Sequence, residues 1–153
     1  DIIASMQPIH ATSDMDMAER YWGDRCERAY NARLQIDQGA VVAFGSDSPV
    51  DPFDPFAGIY AAVTRRRPDG SPGENGWYPE LRLTVEEALR GFTIGPAYAA
   101  GMEDRLGKLA PGYLADLVVL DRDLMSIPPD EILDMASHVV ATMVGGQWRF
   151  GGI

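Results

Sequence analysis

The sequence predicts an α/β fold that gives way to a mainly β segment towards its C-terminus. Two short apolar runs, at residues 2–6 and 41–44, flank a long helix-compatible stretch, which is the strand–helix–strand pattern of a parallel pair. Further on, Thr84 and Glu87 have the spacing of a helix capping box. From Leu106 the texture changes to short β-prone runs and glycine-rich turns, as in antiparallel strands.

Taken in order, the first run ends at Gln7-Pro8-Ile9-His10, where the proline cannot donate to a central ladder. Ser13-Asp14-Met15-Asp16 reads as a helix start, with Ser13 as N-cap and two carboxylates in the first turn, where the macrodipole favours them. A turn at Trp22-Gly23-Asp24 interrupts it. Residues 25–38 are expected to be mostly helical: Ala29, Ala32, Arg33 and Ile36 recur at three- and four-residue spacings, and Gly39 stands where a C-cap glycine would. The connection is long enough for a crossover, so the strands ending near Met6 and Phe44 are expected to be parallel neighbours.

Asp54-Pro55 fits an N-cap followed by the first residue of a helix that reaches about Arg66. Arg65, Arg66 and Arg67 are expected to form its solvated basic end, complementing the dipole. Residues 68–79 are rich in glycine and proline and read as an irregular loop. Trp77 and Tyr78, at its far side, either line a substrate mouth or pack the loop down onto the fold. The capping box opens a short helix through Phe92, Thr93-Ile94-Gly95-Pro96 breaks it, and residues 97–100 add one more helical segment. Residues 116–121 and 138–144 read as strands, and Gly145-Gly146 suits a two-residue hairpin with residues 147–150 returning. A domain boundary is placed near Glu103, giving units 1–103 and 104–153.

With 153 residues, 46% of them hydrophobic, the chain can bury a real core. No run approaches the roughly 20 apolar residues of a membrane span, and no basic-then-apolar signal opens the chain, so a soluble protein without a membrane partner is expected. A formal charge of −10 argues against nucleic acid, which demands a basic face, and suits a neutral or cationic small-molecule substrate or simply good solubility. The single cysteine, Cys26, excludes an internal disulfide framework and fits a reducing compartment, so the expected location is cytoplasmic. The first residue is Asp1, and a strand is already under way by Ile2; the chain is expected to begin mid-fold.

Function points first to Asp47. The apolar run Val41-Val42-Ala43-Phe44 suits a strand covered on both faces, while Gly45 and Pro49 forbid its continuation as a helix. Asp47 therefore stands at the C-terminal end of a buried strand, where catalytic side chains gather in barrels and open α/β sheets. The other reading is that it caps the next turn. His10 lies just past the preceding run and shares that position type, as a functional group or as a structural histidine. The further carboxylates, Asp51 and Asp54, belong to Asp-Pro pairs and read as turn and helix-entry chemistry rather than a metal cluster.

Gln7-Pro8-Ile9-His10, Gly45-Ser46-Asp47-Ser48-Pro49-Val50, Thr84 to Leu89, Gly107 to Asp121 and Val140 to Phe150, in this order and spacing, resemble the C-terminal portion of a metal-dependent amidohydrolase. The resemblance covers essentially the whole chain and is to the N-substituted formamide deformylase-like branch of that superfamily. It implies the last two strands of a TIM barrel with their helices. From Leu106 it implies the C-terminal part of a small β-sandwich assembled from both ends of the complete polypeptide. It also implies that Asp47 is both a metal ligand and the catalytic carboxylate that takes a proton from the attacking water, that His10 faces the substrate, and that the complete enzyme uses a divalent metal, zinc.

The departures are equally definite. The paired histidines of the first barrel strand, the bridging residue of the fourth and the histidines of the fifth and sixth are not among these residues. A catalytic zinc takes three protein ligands plus water, and a barrel takes about 250 residues. His138 lies in the predicted sandwich and is not expected to join His10 and Asp47. The expectation is therefore a C-terminal fragment of a hydrolase that cleaves a non-peptide, amide-like C–N bond. Alone, it should be inactive and hold no metal tightly. Its partners would be a small-molecule substrate and the missing N-terminal portion, with homo-oligomers an open alternative. The competing reading is a non-catalytic module that binds a partner or complementary chain.

Overall fold

The computed structural model describes residues 2–152. Strands β1 (Ile3–Met6) and β2 (Val41–Phe44) pair in parallel, with Ile3 opposite Val41 and Met6 opposite Phe44, as the strand–helix–strand pattern predicts. Among the described residues each of these strands has only the other as a neighbour, so each leaves one edge of its backbone ladder unpaired.

The crossover between them is more broken than the expected two helical stretches joined by a turn at Trp22-Gly23-Asp24. It contains α1 (His10–Ser13), α2 (Met15–Trp22), a 3-10 turn at Gly23–Arg28 and α3 (Ala32–Asp37). Ser13 is not an N-cap but the last residue of α1. Asp14 stands at the cap position of α2 without a side-chain cap bond, its carboxylate accepting the Tyr30 hydroxyl at 2.6 Å instead. The helix expected over 25–38 is broken at Tyr30, whose φ of 50° is left-handed. Asn31 restarts it by accepting the Leu34 N–H at 2.8 Å.

Helix α4 (Pro55–Thr64) starts as predicted: the Asp54 side chain accepts the Phe56 N–H at 2.9 Å and Pro55 fills the first helical position. It is apolar nearly all round, which fits a helix buried between other elements. Its basic end is not solvated. Arg65 takes a left-handed conformation, closes the helix by donating its N–H to the Ala61 carbonyl, and is only 3% exposed. Arg66 pairs with Asp130, and Arg67 donates to the Thr12 carbonyl at 2.9 Å and to Asp16 at 2.8 Å. Fixed protein partners thus replace the expected solvation.

Helices α5 (Val85–Phe92) and α6 (Ile94–Ala99) follow the predicted capping box, with both reciprocal bonds present. Two glycines let them lie directly on β2. A Cβ at Gly91 would sit 2.3 Å from the Phe44 ring, and one at Gly95 would sit 2.0 Å from the Val42 carbonyl oxygen.

The expected β segment is a three-stranded antiparallel sheet of β3 (Leu117–Leu120), β4 (Val139–Val144) and β5 (Gln147–Gly151), in that order. Gly145 and Gly146 both have positive φ, as a type I′ hairpin turn requires. A 3-10 stretch at Pro129–His138 was not anticipated from sequence. It buries Ile132 and Met135 in the same cluster as Phe44, Phe56 and Ile59, so one apolar core runs through the α/β part and the sheet's approach. A second cluster gathers Ala11, Met15, Ala18 and Cys26 under Trp77. Among the described residues, no helix is long and apolar enough to cross a membrane.

Candidate functional site

The parallel pair brings its two candidate residues together, because both chains leave the sheet at the same end. His10 Nε2 lies 3.8 Å from Asp47 Oδ2. Asp47 is held in a left-handed conformation, φ 58°, beyond Gly45 and Ser46, and half of its side chain is exposed. The turn that follows is closed without its carboxylate: the Val50 N–H donates to the Asp47 carbonyl at 2.8 Å, and the Ser46 hydroxyl accepts the Ser48 N–H at 3.3 Å. Turn capping is therefore not what the Asp47 side chain does.

That turn also folds Asp51 back, putting its Oδ2 3.0 Å from His10 Nε2. The alignment falls short of a good hydrogen bond, and Nε2 is buried without one among the described residues. Reading Asp51 as turn chemistry missed its approach to His10. The signal available was the tight proline-bounded turn, which reverses the chain within four residues of Asp47. The result is one imidazole between two carboxylates, a group that can accept, donate or relay a proton beside a polarised substrate.

The other candidates are elsewhere. His138 pairs with Asp121 at 2.7 Å next to β4 and takes no part in this group, as expected. Trp77 is buried, bonded through its indole N–H to Glu19 at 2.8 Å, so it packs the 68–79 loop down rather than lining a mouth. Tyr30 is likewise structural: burial, and then its bond to Asp14, push its phenol up to about 12. Among the described residues, no group of three or more His, Cys, Asp or Glu side chains is arranged to hold a metal ion. Asp47, exposed and uncommitted to the turn, has the donor chemistry of one ligand.

The fold defines a class. An uncharacterized metal-dependent hydrolase from Pyrococcus horikoshii OT3 superposes with a TM-score of 0.69 at 30% identity, over 84% of this chain and 26% of that one. The α/β architecture is thus that of the metal-dependent hydrolases with amidohydrolase folds. Residues 1–150 match the model of the Amidohydrolase family, and the chain belongs to that family. Among its relatives are Protein LONG AFTER FAR-RED 3 of Arabidopsis thaliana, 36% identical over 95% of this chain and 24% of that protein, and N-substituted formamide deformylase of Arthrobacter pascens, 33% identical over 80% and 22%. The chain spans about a quarter of the length of the curated relatives it matches.

Proposed function

We propose that this chain is the C-terminal portion of a hydrolase that cleaves a non-peptide, amide-like C–N bond with activated water, Asp47 being its proton-transferring carboxylate and a metal ligand. The observation that supports it is the meeting of Asp47 and His10 at the C-terminal ends of two parallel strands, in a chain of the Amidohydrolase family. In this reading β1 and β2 are the last two strands of a TIM barrel, and β3 to β5, beyond a boundary near Glu103, are part of a composite sandwich.

A divalent metal, zinc in this reading, supplies the lowered water pKa, towards about 7, when bound. Asp47 contributes one ligand and the remainder come from outside these residues. Its carboxylate accepts the proton of the attacking water and delivers it to the leaving nitrogen, which departs as a neutral amine. His10, held between Asp47 and Asp51, orients the substrate from the neighbouring strand end. Alone, the chain would be inactive and bind no metal tightly. A cytoplasmic location suits the single cysteine. The competing reading, a non-catalytic binding module, draws on the absence of a three-ligand group among the described residues.

Asp47→Asn in the intact protein that carries this chain separates the two. The substitution keeps size and removes basicity, so turnover should fall by about 10²- to 10⁴-fold with the melting temperature little changed. Kinetics, metal content and melting should be read together. Near-normal turnover in a folded mutant would overturn the assignment.

A further inference from the structure

We propose that the cavity beside Arg65 is a binding site for one small monovalent anion of the halide type, separate from the Asp47–His10 group. Arg65 is 3% exposed. Its Nε donates to the Trp77 carbonyl at 2.8 Å, its Nη1 donates to the Tyr30 carbonyl at 3.0 Å, and its guanidinium lies 5.1 Å from the centre of the Trp77 ring. Nη2 is buried with no partner among the described residues. Its neighbours Arg66 and Arg67 pair with Asp130 and Asp16, whereas Arg65 makes no such salt bridge among the described residues.

Carbonyl dipoles and an indole face offset part of the desolvation of a buried cation, but they leave its net charge standing. The titration agrees with that picture: burial lowers Arg65 to about 10, with a smaller Coulombic pull from Glu80 in the other direction. Arg65 lines a cavity of about 20 Å³. One water-sized centre needs about 10–15 Å³, so the space suits a single-atom occupant better than a carboxylate or phosphate group. Met6, Pro8, Phe44 and Leu83 give it apolar walls, which suit a weakly hydrated anion, and Gln7 adds a polar side chain. Water could accept from Nη2 but would leave the charge uncompensated; a halide answers both. The anion would fasten the end of α4, the turn at Tyr30 and the 68–79 loop at a single point.

The test uses crystals of the intact protein grown in sodium bromide. An anomalous peak in this cavity, in contact with Arg65 Nη2, is the expected result. Water or an acidic side chain seated there, while bromide occupies other positions, would overturn the proposal. A parallel measurement compares melting in sodium chloride and sodium gluconate at equal ionic strength, gluconate being too large to enter. Saturation with chloride should raise the midpoint by about 2–4 °C over gluconate, and Arg65→Gln should abolish the difference. Equal midpoints in the two salts, even with a bromide peak, would mean an adventitious ion only and also overturn it. If Arg65→Gln does not fold, the wild-type diffraction and salt comparison decide by themselves.

Discussion

Gly95→Ala tests the close seating of α6 on β2. The added Cβ would stand 2.0 Å from the Val42 carbonyl oxygen and 3.1 Å from the Ala43 Cα, both backbone atoms. No side-chain rotation relieves that clash, so α6 or the strand must move by about 1 Å within a close-packed interior. Overpacking of this kind costs about 1–3 kcal/mol, and helix propensity returns at most about 1 kcal/mol for glycine to alanine. The net loss should be about 1–2 kcal/mol, a fall in melting midpoint on the order of a few °C in the larger intact protein. Gly91→Ala is the graded comparison. Its clash, 2.3 Å, is with the Phe44 ring, a side chain that can yield in part, so the loss should be smaller. Gly45→Ala, with nothing within 4 Å of the new atom, should be nearly neutral. Thermal and urea unfolding of the intact protein would measure all three. A Gly95→Ala midpoint equal to wild type, or a Gly45→Ala loss as large, would refute the packing argument.

Three further expectations follow from the same structure. The hydrogen bond from Arg33, reinforced by those from Thr84, holds the Glu87 carboxyl at about 2, so its contribution is complete above the ordinary carboxylate range and fades as pH falls towards 2. Allowing for solvent screening at this partly exposed pair, that amounts to about 1–2 kcal/mol, and acid titration of stability should flatten between pH 4.5 and 2 in Glu87→Gln. Asp54→Ala removes the N-cap of α4 and should lower unfolding free energy by about 1 kcal/mol in urea titration. The unpaired edges of β1 and β2 should make the isolated chain associate with itself or with a complementary segment; strictly monomeric sedimentation at high concentration would count against this.

Local rules made much of this fold legible. The Asp54-Pro55 helix entry, the Thr84–Glu87 box and the Gly145-Gly146 hairpin each depend on a few adjacent residues and appear as local chemistry dictates, and the parallel pair follows from two apolar runs separated by a crossover-length stretch. What the sequence hid depends on distant partners. Ser13 reads as an N-cap ahead of two carboxylates, but the cap position falls to Asp14, whose carboxylate is taken by Tyr30, sixteen residues on. Arg65 read as a solvated helix end because nothing near it in sequence reveals the carbonyls of Tyr30 and Trp77. The 3-10 stretch at Pro129–His138 is shaped by the core that takes up Ile132 and Met135. In the site, the Asp47–His10 approach followed from two strands ending together. Asp51 needed the path of a turn that composition alone does not trace.

The left-handed backbone at Asp47 carries an evolutionary consequence. Glycine would occupy that conformation without penalty, and asparagine or aspartate with less than other residues, most of which would be strained by about 1–3 kcal/mol. Conformational ease and chemistry thus pull on the same codon in different directions. In a lineage released from selection for catalysis, drift at this position should run towards glycine or asparagine, leaving a chain that folds at least as well and has lost its carboxylate.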